Sequence, residues 1–432
     1  MSKLLNSEIP ERIQVNLSRQ ISIADGVMSF GEFNDYPQIM EKLIDGSPTA
    51  SGAANMLARF LSGVGFEADI NDIVIGQDEK GKDITVLRLL RNVASSSARN
   101  NGYFIKVDYA FSNVSENNLN VVPVIRKLAH VPFKKCRFSA SDDADYSPIV
   151  YKYDKWEDTS KSFSFNALSV RSQANSKKGI TTPVGYHVFN PKKGVLKSQV
   201  EHGNFKGQMF FHFFDERYFY PLSIFDSTYL DMDTEQQISI YENNEVRNGF
   251  VNHTIVGLSP ALDPEQRKAN KEHWEGILGS NANKLTIYEM AHAPDGAGID
   301  KNSAVSVQEV KTNIDPELYE GLTSRVQKRI MRCAHNVPSI LVDYENGSKL
   351  GTTSGEAFKE SVNIYNALTN EIRIELGRSL GELLSKFDDA RLKSNTNWEI
   401  APLTLTEFET NNENNAVTNI PTTEGDKANK QQ

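Results

Sequence analysis

The chain has 432 residues, of which 39% are hydrophobic and 24% are charged, and its formal net charge is −9. This length predicts two to four domains or one elongated subunit, and the negative charge argues against a general DNA-binding protein, because neutralising phosphates requires a basic surface. No apolar run approaches the roughly 20 residues that cross a bilayer, and the N-terminal sequence lacks the apolar core of a signal peptide.

The N-terminal half is predicted to begin with helices and to continue as strands. Residues 1–30 are expected to form an arm, and residues 34–66 have the pattern of a helix, the turn GSPTA and a second helix. The apolar spacing in 83–99 predicts a further amphipathic helix with Asp83 as its N-cap. Alternating apolar residues then predict strands in YFIKVDYAF (103–111), NVVPVIRKL (120–128), SPIVYKY (147–153), TPVGYHVF (182–189) and QMFFHFF (208–214).

An acidic helix, a small α/β insert and a basic helix are predicted next. Pro221 at the first helical position and Asn248-Gly249 at the end predict an acidic helix over 221–248. The insert is predicted to contain a strand at 254–258, a helix over 263–278, a strand at 285–290 and a strand at 305–310. Asp315-Pro316 predicts the start of another helix, which ends near His335 and carries its bases on one face.

The C-terminal part contains the longest predicted helix. Thr353 is its predicted N-cap, Glu356 completes a capping box, and no proline occurs from there to Phe387. The helix would be roughly 50 Å long, which is typical of an assembly element more than of an enzyme pocket. The polar tail over 405–432 is predicted to be disordered. Apolar steps of three and four place one stripe against a partner, at Phe358, Val362, Tyr365, Leu368, Ile372, Leu376, Leu380, Leu383 and Phe387.

Patterns that would indicate catalysis or nucleotide binding are weak. The segment GSKLGTTSGE (347–356) is rich in glycine, but Lys349 is misplaced for a phosphate-binding loop, which favours a mobile loop instead. His212 and Asp215 suggest an acid/base or metal pair, although an aromatic strand with one histidine is more typical of a core or a sheet edge. Cys136 and Cys333 form no CxxC pair, which favours a reducing compartment and argues against structural zinc. We therefore predict no catalytic, cofactor or metal site.

Opposite charge biases flank the predicted insert. The acidic residues of 221–248 form either a solvated helix face or a lining that repels phosphate. The basic face of 316–335 has three interpretations: a solvated surface, a DNA contact, or a partner for the acidic helix on a neighbouring subunit. The third interpretation explains why two opposite biases occur on either side of one insert.

Four stretches resemble segments of tailed-bacteriophage portal proteins of the siphophage type, and they occur in the same order. They are FGEFNDYPQIMEKLIDGSPTASGAANMLARFLSGVGF (30–66), FYPLSIFDSTYLDMDTEQQISIYENNEVRNGF (219–250), LDPEQRKANKEHWEGILGSNANKLTIYEM (262–290) and AHNVPSILVDY (334–344). The resemblance covers roughly residues 30–390. The chain departs from the family pattern at Ser339, where a second proline is usual, and at Asp343, where a glycine often occurs.

The resemblance implies an α+β portal fold with a mixed α/β wing, a two-helix stem, a small α/β clip and one very long helix after a tunnel loop. The arm and wing would occupy 1–215, and the first stem helix would lie in 216–250. The clip would occupy 251–312, and the second stem helix would lie in 313–336. Residues 337–404 would hold the tunnel loop, the long wing helix and a short crown remnant, and 405–432 the disordered tail.

The same resemblance implies three groups of functional residues. The DNA-facing tunnel loop would present Glu345, Asn346, Ser348, Lys349, Thr352 and Thr353. Contacts between stems of neighbouring subunits would use Asp231, Glu235, Glu242, Arg325, Lys328, Arg329 and Arg332. The clip would contact partners through Arg267, Lys268, Lys271 and Trp274.

The implied partners are those of a portal vertex. They are further copies of the chain in a ring of about twelve, the large terminase, the major capsid protein, scaffold, a head–tail adaptor, and double-stranded DNA held without sequence specificity. The location would be the virion, with the host cytoplasm during assembly, and no cofactor or membrane is expected. The alternatives are another ring-forming connector or minor capsid protein, or an enzyme with a β-rich substrate domain.

Overall fold

A computed structural model describes residues 21–22, 27–31, 34–112, 122–139, 149–154, 156, 162–163, 180–181, 183–201, 205–247, 253–258, 265, 268, 285–289, 305–310, 316–342 and 352–404. These residues combine helices with mixed sheets, so the fold class is α+β, as predicted. The chain divides into two compact units. We call Met1–Ser227 with Met331–Gln432 the body, and Thr228–Ile330 the insert unit.

The helices of the described residues are α1 (Tyr36–Gly46), α2 (Pro48–Ser62), α3 (Val86–Asn100), α4 (Lys193–Glu201), α5 (Tyr229–Arg247), α6 (Pro316–Cys333), α7 (Ser339–Val342), α8 (Thr352–Leu384) and α9 (Ala390–Ser394). The strands up to the centre of the chain are β1 (Ile21–Ser22), β2 (Val27–Met28), β3 (Gly65–Phe66), β4 (Val74–Gln77), β5 (Asp83–Thr85), β6 (Gly102–Ser112), β7 (Val122–Val131), β8 (Cys136–Phe138) and β9 (Ile149–Lys152). They are followed by β10 (Ser162–Phe163), β11 (Ile180–Thr181), β12 (Val184–Val188), β13 (Gln208–Phe213), β14 (His253–Leu258), β15 (Leu285–Glu289), β16 (Val305–Val310) and β17 (Ile400–Ala401).

The first two helices of the body are joined by a single residue. Ser47 follows α1 and caps α2, because its Oγ accepts a hydrogen bond from the Ala50 amide at 3.1 Å, while Pro48 occupies the first helical position. The predicted turn over GSPTA is therefore wrong in extent, since three of its five residues form the first turn of α2. The capping serine and the following proline are the local reason for this early start.

The third helix also begins at a different residue from the one predicted. Asp83 belongs to β5, where it pairs with Gln77 of β4, so it is not the N-cap. Thr85 takes that role, and its Oγ1 accepts a hydrogen bond from the Arg88 amide at 3.2 Å. Asp and Thr are both good N-cap residues, and the pairing of β4 with β5 decides between them.

A mixed six-stranded sheet in the order β7-β6-β13-β12-β9-β8 forms the centre of the body. The five strands predicted between Tyr103 and Phe219 are confirmed as β6, β7, β9, β12 and β13. Neighbouring strands are antiparallel except β12 and β13, which are parallel. In β6, consecutive residues Tyr103, Phe104 and Ile105 are all fully buried, so both faces of this part of the sheet are covered.

One face of the sheet is covered by aromatic residues. Phe104 lies opposite Phe211 in the β6–β13 register, and the Phe138 and Phe211 ring centroids are 4.9 Å apart. Phe30 stacks on Tyr220 with a centroid separation of 4.5 Å, which brings the N-terminal segment onto the same cluster. Aromatic pairs at these separations contribute about 0.5–1.5 kcal/mol each beyond burial.

A fully buried arginine fixes the N-terminal segment to the sheet. Arg137 of β8 donates hydrogen bonds to the carbonyl oxygens of Asn34, at 2.8 Å, and of Cys136, at 2.7 Å. Its guanidinium also lies 5.7 Å from the ring centroid of Phe30 and 5.6 Å from that of Trp156. The planar, multi-donor head of arginine suits a site that offers several oxygen acceptors and two rings.

The other face of the sheet meets α8, the long helix. The Tyr103 hydroxyl and the Ser379 Oγ are 2.6 Å apart, and His212 Nε2 lies 2.9 Å from a carboxylate oxygen of Glu375. At 33 residues, α8 confirms the predicted long helix and is roughly 50 Å long. Its first residue is Thr352, so the prediction that Thr353 is the N-cap is wrong.

The apolar stripe of α8 is confirmed at most positions but not at all of them. Leu376, Leu380 and Leu383 are fully buried, whereas Leu368 is 46% exposed. Thr369 is buried in its place, and its hydroxyl donates to the Tyr365 carbonyl oxygen at 2.8 Å. A threonine can be buried here because this bond within the helix satisfies its hydroxyl.

The insert unit contains a three-stranded sheet and two helices of similar length. The strand order is β15-β14-β16, with β14 parallel to β15 and antiparallel to β16. These strands confirm the three that were predicted for this region. The parallel pair requires a crossover between β14 and β15, and Glu265 and Lys268, the two described residues of that connection, are helical and exposed. The rest of the predicted helix lies outside the described residues.

Candidate functional site

The chain leaves and re-enters the body at two adjacent points. The Ser227 Oγ and the Cys333 Sγ are 3.2 Å apart, one just before α5 and the other at the end of α6. The helix α5 has 19 residues and α6 has 18. We call α5 and α6 the helix pair, and it brackets the strands of the insert unit in the sequence.

The segment of the body that precedes the helix pair is held by hydrogen bonds to other residues of the body, which explains an error of prediction. The Tyr36 hydroxyl donates to Asp226 at 2.8 Å, and the Ser223 hydroxyl donates to the Arg99 carbonyl oxygen at 2.5 Å. These contacts hold 220–228 out of the helix, so α5 begins at Tyr229 and Pro221 is not its first residue. Burial, and then the negative charge of Asp226, raise the pKa of Tyr36, which therefore stays a hydrogen-bond donor.

An ion pair joins the two helices within one chain. Arg329 of α6 donates to the Asp231 carboxylate at 3.1 Å. The Asp231 side chain is 16% exposed and that of Arg329 is 62% exposed. A pair this open to solvent contributes about 0.2–1 kcal/mol, so it orients the helices more than it stabilises them. Asp231 and Arg329 were both predicted to contact neighbouring subunits, but they form an ion pair with each other within one chain.

The remaining charges of the helix pair differ in their exposure. Glu235 is buried, whereas Glu242 is exposed. The bases Arg325, Lys328 and Arg332 are all exposed on α6, as the predicted shared face requires. Among the residues that the structure describes, none of these three bases forms an ion pair with a carboxylate. The helix pair therefore offers a basic surface for which a neighbouring subunit or another anion remains the candidate partner.

A second candidate surface lies on α8. Ile364, Leu368 and Ile374 are 48%, 46% and 39% exposed, and helical spacing places them on one side together with Glu371 and Arg378. We call this set the α8 outer face. Several large apolar residues on one side of a helix are typical of a protein–protein contact. The sequence had indicated a stripe facing a partner, but the outer face is a different set of residues, of which only Leu368 belongs to that stripe.

The residues predicted for the tunnel loop and the clip are mostly not described. Glu345, Asn346, Ser348 and Lys349 lie outside the described residues, as do Arg267, Lys271 and Trp274 in the clip. Thr352 and Thr353 belong to the first turn of α8, so the prediction that they lie in the loop is wrong. The helix begins two residues earlier than a Thr353 cap would allow, since that cap would make Ser354 the first helical residue.

The weak acid/base candidates each have a structural partner. His212 contacts Glu375 at 2.9 Å, and Asp215 accepts a hydrogen bond from the Arg217 guanidinium at 2.7 Å. That guanidinium holds the pKa of Asp215 below its usual value. No cluster of three metal-ligating side chains occurs in the part of the chain that the structure describes. None of the described helices is both long and apolar enough to cross a membrane.

Comparisons with known proteins gave low similarities. The sequence matches no protein-family model and no curated protein. Among solved structures, it is similar to a chain of the virion of a native gene transfer agent particle, with 10% identity, a TM-score of 0.44, and coverage of 88% of this chain and 87% of that one.

Two further similar chains come from particle necks. One belongs to the neck of a native gene transfer agent particle computed with C12 symmetry, with 10% identity, a TM-score of 0.41, and coverage of 83% and 82% of the two chains. The other belongs to the neck of an empty particle computed with C6 symmetry, with 12% identity, a TM-score of 0.42, and 82% coverage of both chains.

Proposed function

We propose that this chain is the subunit of a ring-shaped portal at one capsid vertex, through which double-stranded DNA enters and leaves. The observation that carries this proposal is the helix pair. Two helices leave and re-enter the body at adjacent points, Asp231 and Arg329 join them, and they bracket a small α/β sheet. This order corresponds to the stem and clip that the sequence resemblance implies.

The α8 outer face supports a repeated contact between copies. A helix of 33 residues offers a long surface to a neighbour. Head-to-tail contacts between identical subunits close into a ring when their rotation permits it. In such a ring each copy would bury its outer face, and the exposed bases of α6 would meet acidic residues of the next subunit.

The charge of the chain suits a passage for DNA better than a grip on it. A net charge of −9 on every copy would sum around a ring to a field that repels phosphate. In the proposed ring the tunnel loop, shortened to 343–351 because Thr352 and Thr353 begin α8, would project toward the duplex, and Lys349 would offer it a sparse ring of positive charge. The chain would have no catalytic role, and ATP hydrolysis would belong to the large terminase.

The remaining partners follow from a place at the vertex. The clip, between the two helices of the pair in sequence, would contact the terminase during packaging and a head–tail adaptor afterwards. The body would contact the major capsid protein and scaffold. These assignments depend on the ring, so the ring is tested first.

Electron microscopy of the purified full-length chain tests the proposal directly. Negative-stain class averages should show a mushroom-shaped ring with a central hole wide enough for a DNA duplex, and native mass spectrometry should count about twelve copies. A chain that stays monomeric at high concentration and is missing from particles would refute the proposal. A thermal shift caused by a nucleotide or another small substrate, without rings, would favour the enzyme alternative.

A further inference from the structure

An open hollow of about 820 Å³ lies in the body between the end of α2, α7 and α8. Its apolar lining includes Met56, Val64, Leu341, Phe358 and Val362, and its bases are Arg59 and Arg91. Among the described residues of this lining, none is Asp or Glu. Val64 is 54% exposed, which is unusual for an apolar residue in a concave site. The lining therefore suits an occupant that is both apolar and acidic.

The C-terminal segment of the body leads directly into this hollow. Its backbone pairs with the residues after α2, because the Glu67 amide donates to the Glu399 carbonyl oxygen at 3.0 Å and the Val64 amide donates to that of Ala401 at 3.1 Å. From Glu399 to Ala401 the segment therefore runs toward the C-terminal end of α2. Thr404, the last described residue, is itself part of the lining.

The same segment runs along α8 toward that helix's N-terminus. Trp398 lies against Gly381, where a β-carbon would come within 2.4 Å of the indole ring, so only glycine allows this approach. Further on, the Asn366 side-chain amide donates to the Leu403 carbonyl oxygen at 2.9 Å. Continued in this direction, the chain would next pass Val362 and Phe358, which line the hollow.

We propose that the segment Leu405–Glu409 of the same chain occupies the hollow. Its sequence, LTEFE, supplies two large apolar side chains, those of Leu405 and Phe408. Glu407 and Glu409 complement Arg59 and Arg91. In this proposal the segment would cover the apolar end of α2. This inference does not depend on the proposed ring.

Disulfide trapping tests the occupant in the full-length chain. Cys333 is replaced by Ser in every variant because its thiol is partly exposed, whereas Cys136 is buried and its burial raises the pKa of its thiol to about 12. Val64→Cys is then combined with Thr406→Cys, or with Thr418→Cys as the matched control further along the tail. We expect the first pair to oxidise at least tenfold faster, and adding Leu405→Ser and Phe408→Ser to reduce its rate to that of the control.

Isotope mixing and hydrogen exchange make the outcomes unambiguous. In a mixture of heavy and light chains, the 64–406 disulfide should join peptides of one isotope, whether or not the chains form rings. Heavy–light linkage would overturn the proposal in favour of a tail that docks on another copy. In a chain that keeps its natural cysteines and has no added ones, Glu407→Lys with Glu409→Lys should speed hydrogen exchange of the backbone amides of residues 59–64. Equal oxidation rates together with unchanged exchange would also overturn it.

Discussion

Replacing two residues of the α8 outer face by glutamine tests whether this surface drives assembly. Ile364 and Leu368 are 48% and 46% exposed, so about half of each side chain remains to be buried by a neighbour. Full burial of such a side chain contributes about 1.5–3 kcal/mol, so the remaining half contributes about 1 kcal/mol and the pair about 2 kcal/mol per contact. That corresponds to a roughly 30-fold weaker contact.

Glutamine is chosen because it is a good helix former and carries no charge. The free energy of unfolding of the isolated subunit should therefore change by less than about 0.5 kcal/mol, as is usual for exposed positions. Urea unfolding measures that quantity, and mass photometry over a dilution series measures the concentration at which assemblies form. Every copy in a closed ring makes the contact, so that concentration should rise by at least the factor for one contact.

Val74→Gln is the matched control. Val74 is 48% exposed, like the two residues of the outer face, but it belongs to β4 and not to α8. It should leave assembly nearly unchanged. Assembly at an unaltered concentration after Ile364→Gln with Leu368→Gln would refute the assignment of the outer face as a subunit contact. An equal loss in the Val74 control would show that the effect does not depend on this surface.

Four further results are expected. Arg325→Glu with Arg329→Glu should weaken ring assembly more than folding, since the Asp231 pair contributes at most about 1 kcal/mol; intact rings at unchanged yield in native mass spectrometry would contradict this. Deleting 346–351 should leave ring assembly intact but reduce the DNA content of particles, and wild-type genome content would refute the loop assignment. Arg137→Ala should lower the free energy of unfolding in urea by about 3–5 kcal/mol, because it leaves buried carbonyl oxygens without hydrogen-bond donors. Arg137→Lys should give an intermediate loss. A loss below about 1 kcal/mol for Arg137→Ala would contradict the role given to the hydrogen bonds of Arg137. Burial lowers the pKa of His130 to about 4, and its Nε2 is buried without a partner among the described residues. Protonation therefore favours the unfolded chain, so the free energy of unfolding should fall by up to about 3 kcal/mol as the pH drops from 6.5 toward 4. His130→Gln should show a shallower fall, and a pH profile identical to that of the unmodified chain would contradict this expectation.

The long helix and the central sheet could be predicted because their patterns are strong and continuous. Alternation of apolar residues located every long strand of the sheet, and a proline-free run with steps of three and four located α8. Starts of helices were harder, because several residues can serve as caps. Pro221 is a plausible first residue on local grounds, but Ser223 and Asp226 bond to distant parts of the body and delay the helix to Tyr229.

The functional surfaces were predicted less completely than the fold. Periodicity showed that α8 has an apolar stripe, but it cannot tell a face buried within the chain from one left for a neighbour, so Leu368 was grouped with residues of the core. Charge spacing likewise indicated that the acidic and basic helices attract each other. It could not show that Asp231 and Arg329 meet in one chain, since that depends on how the two helices lie side by side.

This pairing changes which charges a neighbouring molecule would meet. Asp231 is engaged with Arg329 and Glu235 is buried, so two of the acidic residues expected on the stem are not free on its surface, whereas Arg325, Lys328 and Arg332 are exposed. If these bases lined the channel, each copy would bind phosphate, and DNA would adhere to the ring in a manner that salt abolishes. If they face the next subunit, salt should weaken the ring itself while the channel stays non-adhesive. The proposed portal, through which DNA would slide, requires the second arrangement, so the proposal predicts that the basic face of α6 lies at the contact between subunits.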